Sequence, residues 1–188
     1  MNPLIKKFKE YGFVSPEIEK KLEERIVTQV KRKGEFFVKK GQVTSSLFLI
    51  ENGLVRSYYE KDDVEINTWF GFENIILGAT LPLFYKAPST ENIQFIETTV
   101  IHYIFINELE EIYRINNDFN TIGRKMAEEY CVILEERINS LQTQTAEERY
   151  HTLLKNEPSA IQRISLGYIA SYLGIKQETL SRIRKKQT

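Results

Sequence analysis

Between Lys176 and Lys186 the chain reads KQETLSRIRKK, a run of side chains suited to gripping a polyanion. Arg182 can present its guanidinium fork to guanine O6 and N7, Glu178 can accept from cytosine N4, and Gln177 can pair with adenine. Lys176, Thr179, Arg184, Lys185 and Lys186 suit phosphate oxygens, which position a protein on a duplex without reading its sequence. Ser181 lies with Gln177, Glu178 and Arg182 toward the N-terminal end of the segment, the part of a recognition helix that enters a major groove. A second use of Glu178 stays open here: one turn before Arg182, it can orient that guanidinium through an i,i+4 pair.

Such side chains reach bases only if their helix is mounted on another. Ile169 and Leu173 share one face of a first short helix, and Leu180 and Ile183 share one face of a second. Ala170 is small enough for two backbones to approach, Ile175 is apolar, and Gly174 can take the positive φ of a tight turn. Two short helices joined in this way make a helix-turn-helix.

Charge supports a polyanion partner only in its distribution. The 188 residues carry no net charge, yet from Ile161 onward Arg163, Lys176, Arg182, Arg184, Lys185 and Lys186 face Glu178 alone, leaving +5 there and −5 on the first 160 residues. A basic end on an acidic body suits a nucleic-acid module, although a solvated basic tail has the same composition. The N-terminus MNPLIKKFKEYGF has no apolar run before a small-residue cleavage site, and no stretch approaches the ~18 apolar residues of a membrane span, so a cytoplasmic protein is expected. Cys131 is the one cysteine, which removes internal disulfides, Cys-rich zinc sites and cysteine-held iron–sulfur clusters. His102 and His151 stand alone, so no metal is expected. A cupin-like enzyme would need histidines and carboxylates clustered on strands, so catalysis is not expected either.

From about Gly34 to Ile106 the pattern is that of strands: GEFFVKKGQ, SLFLIENG, LVRSYYEKDD, VEINTWFGF, NIQFIE and TTVIHYIFI, divided by turn chemistry at Lys40-Gly41, Asn52-Gly53 and Asp62-Asp63. Six or more short strands with no long helix between them indicate an antiparallel sandwich or barrel. Residues 1–30 read as short helices, with Ser15-Pro16 as a helix start. NELEEIYRIN forms another helix, and Asn117 or Asp118 can cap a long one reaching about Gln142. Along it Ile122, Met126, Tyr130, Leu134 and Ile138 recur every four residues. That stripe either packs on its own β domain or forms a self-association seam; no short loop is evident to cover it, which favours the seam. AEERYHTLLKN is a further helix, and AIQRISL a short strand or linker.

A β domain, a long helix and a C-terminal helix-turn-helix together resemble the Crp/Fnr family of bacterial transcription regulators, from about Gly34 to Lys186. In that family an Arg-Glu-Thr run is followed three residues on by arginine; Glu178, Thr179 and Arg182 match, and Gln177 replaces the first arginine. The resemblance implies an α+β chain. Residues 1–116 would form a jelly-roll (double-stranded β-helix), cyclic-nucleotide-binding-like sensor domain, 117–142 a dimerisation helix, and 143–188 the helix-turn-helix domain. Because the sequence stops at Thr188, the β wing that usually follows is expected to be reduced or absent.

The resemblance also implies an effector pocket at Gly78, Ala79, Thr80, Ser89 and Thr90. Relatives that bind cyclic nucleotides carry a glutamate for the ribose and an arginine for the cyclic phosphate. In LGATLPLFYKAPSTEN those positions fall on Ala79 and Ser89, so cyclic AMP is not expected to bind and no cofactor is implied. The function implied is a homodimeric regulator on a pseudo-palindromic operator. Its partners would be duplex DNA, a second copy, RNA polymerase and an unidentified small-molecule effector, with no membrane. The alternative is a cyclic-nucleotide-type module that regulates a protein partner through its C-terminal helices.

Overall fold

The computed structural model describes residues 1–185. Helix α1 (Pro3–Tyr11) starts where Asn2 Oδ1 accepts the Leu4 N–H, and α2 (Pro16–Arg25) where the Ser15 hydroxyl accepts the Ile18 N–H; each has proline at the position where a missing N–H is harmless. The strands β1 (Val27–Lys31), β2 (Phe36–Val38), β3 (Ser46–Asn52), β4 (Val55–Lys61), β5 (Val64–Gly71) and β6 (Ile76–Leu77) lead to the short helix α3 (Thr80–Tyr85). Then come β7 (Asn92–Phe95), β8 (Thr99–Phe105), α4 (Ile106–Ile115) and the long α5 (Asn117–Thr143). The chain continues as α6 (Ala146–Asn156), α7 (Ala160–Arg163), α8 (Leu166–Tyr172) and α9 (Gln177–Lys185).

The strands form two four-stranded sheets, ordered β1-β8-β3-β6 and β2-β7-β4-β5. β3 pairs antiparallel with β8, Ser46 opposite Phe105 through Ile50 opposite Ile101, with a bulge before Asn52. β3 reads as an unbroken apolar run because both of its faces are covered. Phe48 and Ile50 join Val38, Val55, Ile93, Phe95 and Ile101 in one buried cluster. Leu47 and Leu49 point the other way, into a cluster built with Leu4, Ile5, Phe8, Leu109, Ile112, Phe119 and Ile122. The β4–β5 turn is Asp62-Asp63, both at positive φ (51° and 60°), the two-residue geometry whose twist matches a hairpin.

Two compact units result. One holds Met1–Ser57 and Phe70–Glu129; the other holds the hairpin tip Tyr58–Trp69 with the residues from Tyr130 on. The division therefore runs through α5 itself. This corrects the reading of its apolar stripe. Ile122 is fully buried and Met126 packs against the same cluster, because α1 and its neighbours cover that half of the helix. The α5 cap is neither Asn117 nor Asp118: Asn116 Oδ1 accepts the Phe119 N–H. Two further elements differ from the sequence reading. Val27–Lys31 is an edge strand, exposed along nearly its whole length and so without inward/outward alternation, and AIQR is a single helical turn.

Candidate nucleic-acid interface

Helix α8 begins at Ser165, whose hydroxyl accepts the Tyr168 N–H. It ends in a turn that satisfies its own carbonyls: the Gly174 N–H donates to Ser171 O at 3.0 Å and the Ile175 N–H to Ala170 O at 3.0 Å. That pair of bonds is a Schellman motif and requires a left-handed residue, here Gly174 at φ 69°. A side chain at this position would be strained whatever space surrounds it. Ile169, Ala170, Leu173, Leu180 and Ile183 are all buried, so α8 and α9 share one small core as the spacing predicts.

Three groups outside these helices grip the turn. The Arg149 Nε and Nη2 donate to Leu173 O at 3.1 and 2.8 Å. Arg137 donates to Tyr172 O and lies over the Tyr172 ring, 3.9 Å from its centroid. Burial, more than the neighbouring Arg149, holds the Arg137 guanidinium below its ordinary value. From the hairpin tip, the Asn67 N–H donates to Ser171 Oγ at 2.9 Å while that hydroxyl donates to Glu65 O at 3.0 Å. Sequence reading missed Arg137, Arg149 and Ser171, since nothing local marks an arginine whose partner is a distant main-chain oxygen.

Opposite the buried Leu180 and Ile183, Glu178, Arg182 and Lys185 are exposed along one face of α9, with Gln177 and Lys176 exposed at its start. Thr179, Ser181 and Arg184 are half-buried. Arg182 Nη2 donates to Thr179 Oγ1 at 3.3 Å, so its partner on the helix is the threonine and not Glu178. Gln177 Oε1 reaches back toward Gly167, lying 3.2 Å from where a β-carbon there would sit. Lys186 lies outside the described residues. Arg182, Arg184 and Lys185 occupy the last turn, where cations are favoured by the helix dipole.

On α5, Tyr130, Leu134 and Ile138 are exposed, by 39%, 38% and 57%, and so are Cys131 and Leu141. Of the five residues expected at a seam, these three are exposed, Met126 is half-buried against the α1 side of the core, and Ile122 is buried.

The candidate effector pocket has a different character. Ala79 is fully buried in the sandwich core, and a β-carbon at Gly78 would stand 3.0 Å from Ser46 O. Ser89 is buried and turned inward: its hydroxyl donates to Glu91 O at 2.7 Å and accepts the Glu91 N–H at 3.2 Å. Thr90 is exposed. Thr80 offers its N–H to the Glu91 carboxylate, which also accepts from the Ser57 hydroxyl. Burial pushes the Glu91 carboxyl above its ordinary range, against the lowering effect of those two donors. Arg56, almost wholly buried, donates through Nε and Nη2 to Gln94 Oε1 at 2.9 and 2.7 Å. Glu91 was not singled out from sequence; the only hint was a carboxylate two residues beyond Ser89.

His102 is buried among polar partners: its Nε2 lies 2.8 Å from Glu51 Oε2, and its Nδ1 lies 2.9 Å from Thr28 Oγ1 and 3.1 Å from Asn2 Nδ2. Among the described residues no three histidine, cysteine or carboxylate side chains are grouped to hold a metal, and no helix is long and apolar enough to cross a membrane.

No known family profile and no curated protein matches the sequence. Solved structures do match. FixK2 from Bradyrhizobium japonicum is 21% identical, with 86% of this chain and 83% of that one covered at a TM-score of 0.71. A protein of Eubacterium rectale placed among Crp/Fnr-family transcriptional regulators is 17% identical, with 92% and 83% covered at 0.72. The c-di-GMP responsive global regulator CLP of Xanthomonas campestris is 15% identical, with 92% and 91% covered at 0.69. The chain thus shares the fold of these proteins, a mixed α/β architecture of antiparallel sheets, long helix and C-terminal helix-turn-helix.

Proposed function

We propose that the chain is a sequence-specific, DNA-binding transcription regulator of the Crp/Fnr type, acting in the cytoplasm as a homodimer on a pseudo-palindromic operator. The observation that carries this reading is the outer face of α9. Glu178, Arg182 and Lys185 stand exposed on a short helix whose entry turn is pinned by Arg137, Arg149 and Ser171. A helix held that firmly, with bidentate and point-charge donors outward, suits a major groove. Arg182 reads guanine, with Gln177, Glu178 and Ser181 beside it, while Lys176, Thr179, Arg184, Lys185 and Lys186 meet phosphates.

The second copy joins through the C-terminal half of α5. Cys131, Leu134, Ile138 and Leu141 follow a 3-4-3 spacing, that of a two-helix seam, and all are exposed. Two such chains would set their recognition helices about one DNA turn, ~34 Å, apart. RNA polymerase is the expected protein partner at a promoter. The β domain serves as effector or scaffold domain, and cyclic AMP is not its ligand, since Ala79 and Ser89 supply neither the acid nor the arginine.

The test is selection of a preferred duplex from a random pool, followed by titration at several salt concentrations. Binding that weakens steeply with salt and favours the selected sequence is expected. Failure to bind any duplex would favour the competing role, a module that docks its C-terminal helices on a protein.

A further inference from the structure

The second half of α5 presents two neighbouring faces. Cys131, Leu134, Ile138 and Leu141 are exposed, while Ile133, Arg137, Ser140 and Gln144, at 4-3-4 spacing, are half-buried beside them. Only Gln144 and Thr145 separate α5 from α6, a junction short enough to serve as a joint. It is held throughout. The Gln144 N–H donates to Ser140 O at 3.1 Å, its Oε1 accepts from the Ser140 hydroxyl at 2.7 Å, and its C=O accepts from Arg149 Nη1 at 2.5 Å. Thr145 and Glu148 close a reciprocal cap: the Thr145 N–H donates to Glu148 Oε2 at 2.7 Å and the Glu148 N–H to Thr145 Oγ1 at 3.2 Å. The planar Arg149 guanidinium that holds Gln144 O also gives Nε and Nη2 to Leu173 O, so one rigid group ties the end of α5 to the α8–α9 turn. Two residues of α5 reach that turn directly. Arg137 donates to Tyr172 O and covers its ring, and Leu141 Cδ2 lies 3.9 Å from where a β-carbon on Gly174 would sit.

We infer that Arg137 and Arg149 are positioning residues that set which separation of operator half-sites the dimer accepts. This rests on reading the chain as a dimeric DNA-binding regulator with its seam on α5. The path from seam to α9 crosses the Gln144–Thr145 junction, so the stiffness of that joint decides how far a recognition helix can shift relative to its copy. One base pair added between half-sites moves the second by ~3.4 Å and turns it by ~35° about the duplex. A free joint would follow such a change at little cost, and several separations would bind alike. A joint fastened by planar guanidinium groups carries the second α9 past its groove instead, and the mismatch appears as lost affinity. Arg137 lies on α5 and Arg149 on α6, away from the outward face of α9, and both act through the main-chain oxygens of Tyr172 and Leu173. They therefore govern spacing and leave base preference to α9.

The experiment uses the full chain and the duplex selected from a random pool, rebuilt with its half-sites one base pair closer, unchanged, and one base pair further apart. Wild type should lose at least about tenfold in affinity at either altered separation. Arg137→Ala and Arg149→Ala should shrink that ratio to about threefold or less, while a wrong base inside a half-site costs them what it costs wild type. Arg149→Lys, which keeps the charge but not the fork, should fall between. Should the alanine variants fail to fold, Arg149→Lys decides by the same ratio. A merely structural role would weaken every duplex together and leave the ratio where it was. That result overturns the proposal, and so does a wild type indifferent to separation. A measurement without DNA checks the joint itself. In a Cys131→Ser background, nitroxides on Glu136→Cys and Glu178→Cys, with labelled chain diluted in unlabelled chain, should give a narrow distance distribution by pulsed electron resonance. Adding Arg149→Ala should broaden it, and equal widths overturn the proposal. Selection of no duplex at all would defeat the regulator reading, an outcome distinct from a duplex-binding chain whose spacing ratio does not change.

Discussion

The two units handle their polar and apolar surplus in opposite ways. In the sandwich unit, Glu91 is answered by Thr80 and Ser57, His102 by Glu51, Thr28 and Asn2, and the α5 residues Ile122 and Met126 by the α1 side of the core. In the helical unit, Glu178, Arg182 and Lys185 face outward, and Leu134 and Ile138 lie open on the same helix that is covered further upstream. The groups named in the first unit find their partners within it, whereas those named in the second face outward.

If that contrast is right, damage to the open unit should appear in association and damage to the closed unit in stability. The largest effect is expected from Leu134→Glu. Placing a charge in the seam should yield monomers and, by removing the second half-site, lower operator affinity by about 10²-fold or more. Sedimentation of an intact dimer would exclude this part of α5 as the seam. Oxidation of the wild type offers an independent check, because a parallel seam brings each Cys131 close to its copy and should give a disulfide-linked dimer on a non-reducing gel.

Arg182→Ala comes next. Loss of a bidentate guanine contact should cost ~1–3 kcal/mol and flatten preference at one base pair of each half-site, with little change in melting temperature. Equal weakening on every duplex would make Arg182 a backbone contact instead. Lys185→Ala should weaken selected and mismatched duplexes alike and reduce the salt slope by about one per lysine removed.

The smallest effect belongs to the closed unit. Burial raises the Glu91 carboxyl above its ordinary 4.5, so the folded chain retains that proton to higher pH than the unfolded chain. The resulting stabilisation is complete below the unfolded value and is lost as pH rises through the folded one. Glu91→Gln cannot titrate. Its melting temperature should therefore gain on that of wild type as pH is raised from about 4 through this window, and a pH-independent difference would show that Glu91 is not strained by its surroundings.

The helix-turn-helix was legible because its determinants are local: one glycine at positive φ and five apolar residues at helical spacing. Most strands were legible for the same reason, down to the Asp62-Asp63 turn. The α5 stripe was legible as a period but not as a surface, since periodicity records which residues share a face and not what lies against it. β1 escaped notice because an exposed edge strand has no inside to alternate with. Glu91 escaped because Ser89 drew attention as the counterpart of a missing arginine, while the carboxylate two residues later takes its donors from Thr80 and Ser57, far from it in sequence.

The grip on the α8–α9 turn has a consequence for how such a protein can change. Arg149 and Arg137 hold Leu173 and Tyr172 by their main-chain oxygens, and Ser171 holds the hairpin by main-chain groups of Glu65 and Asn67. On α8 itself, the Ser171 hydroxyl and the Tyr172 ring are the side chains that enter the grip. What is fastened is therefore the path of the chain, and the residues facing outward from α9 take no part in the fastening. The outward face of α9 can be changed position by position while its mount stays the same. A transplanted α8–α9 segment that kept the glycine turn, an aromatic at 172 and a serine at 171 should seat on this chain and bring its own sequence preference with it.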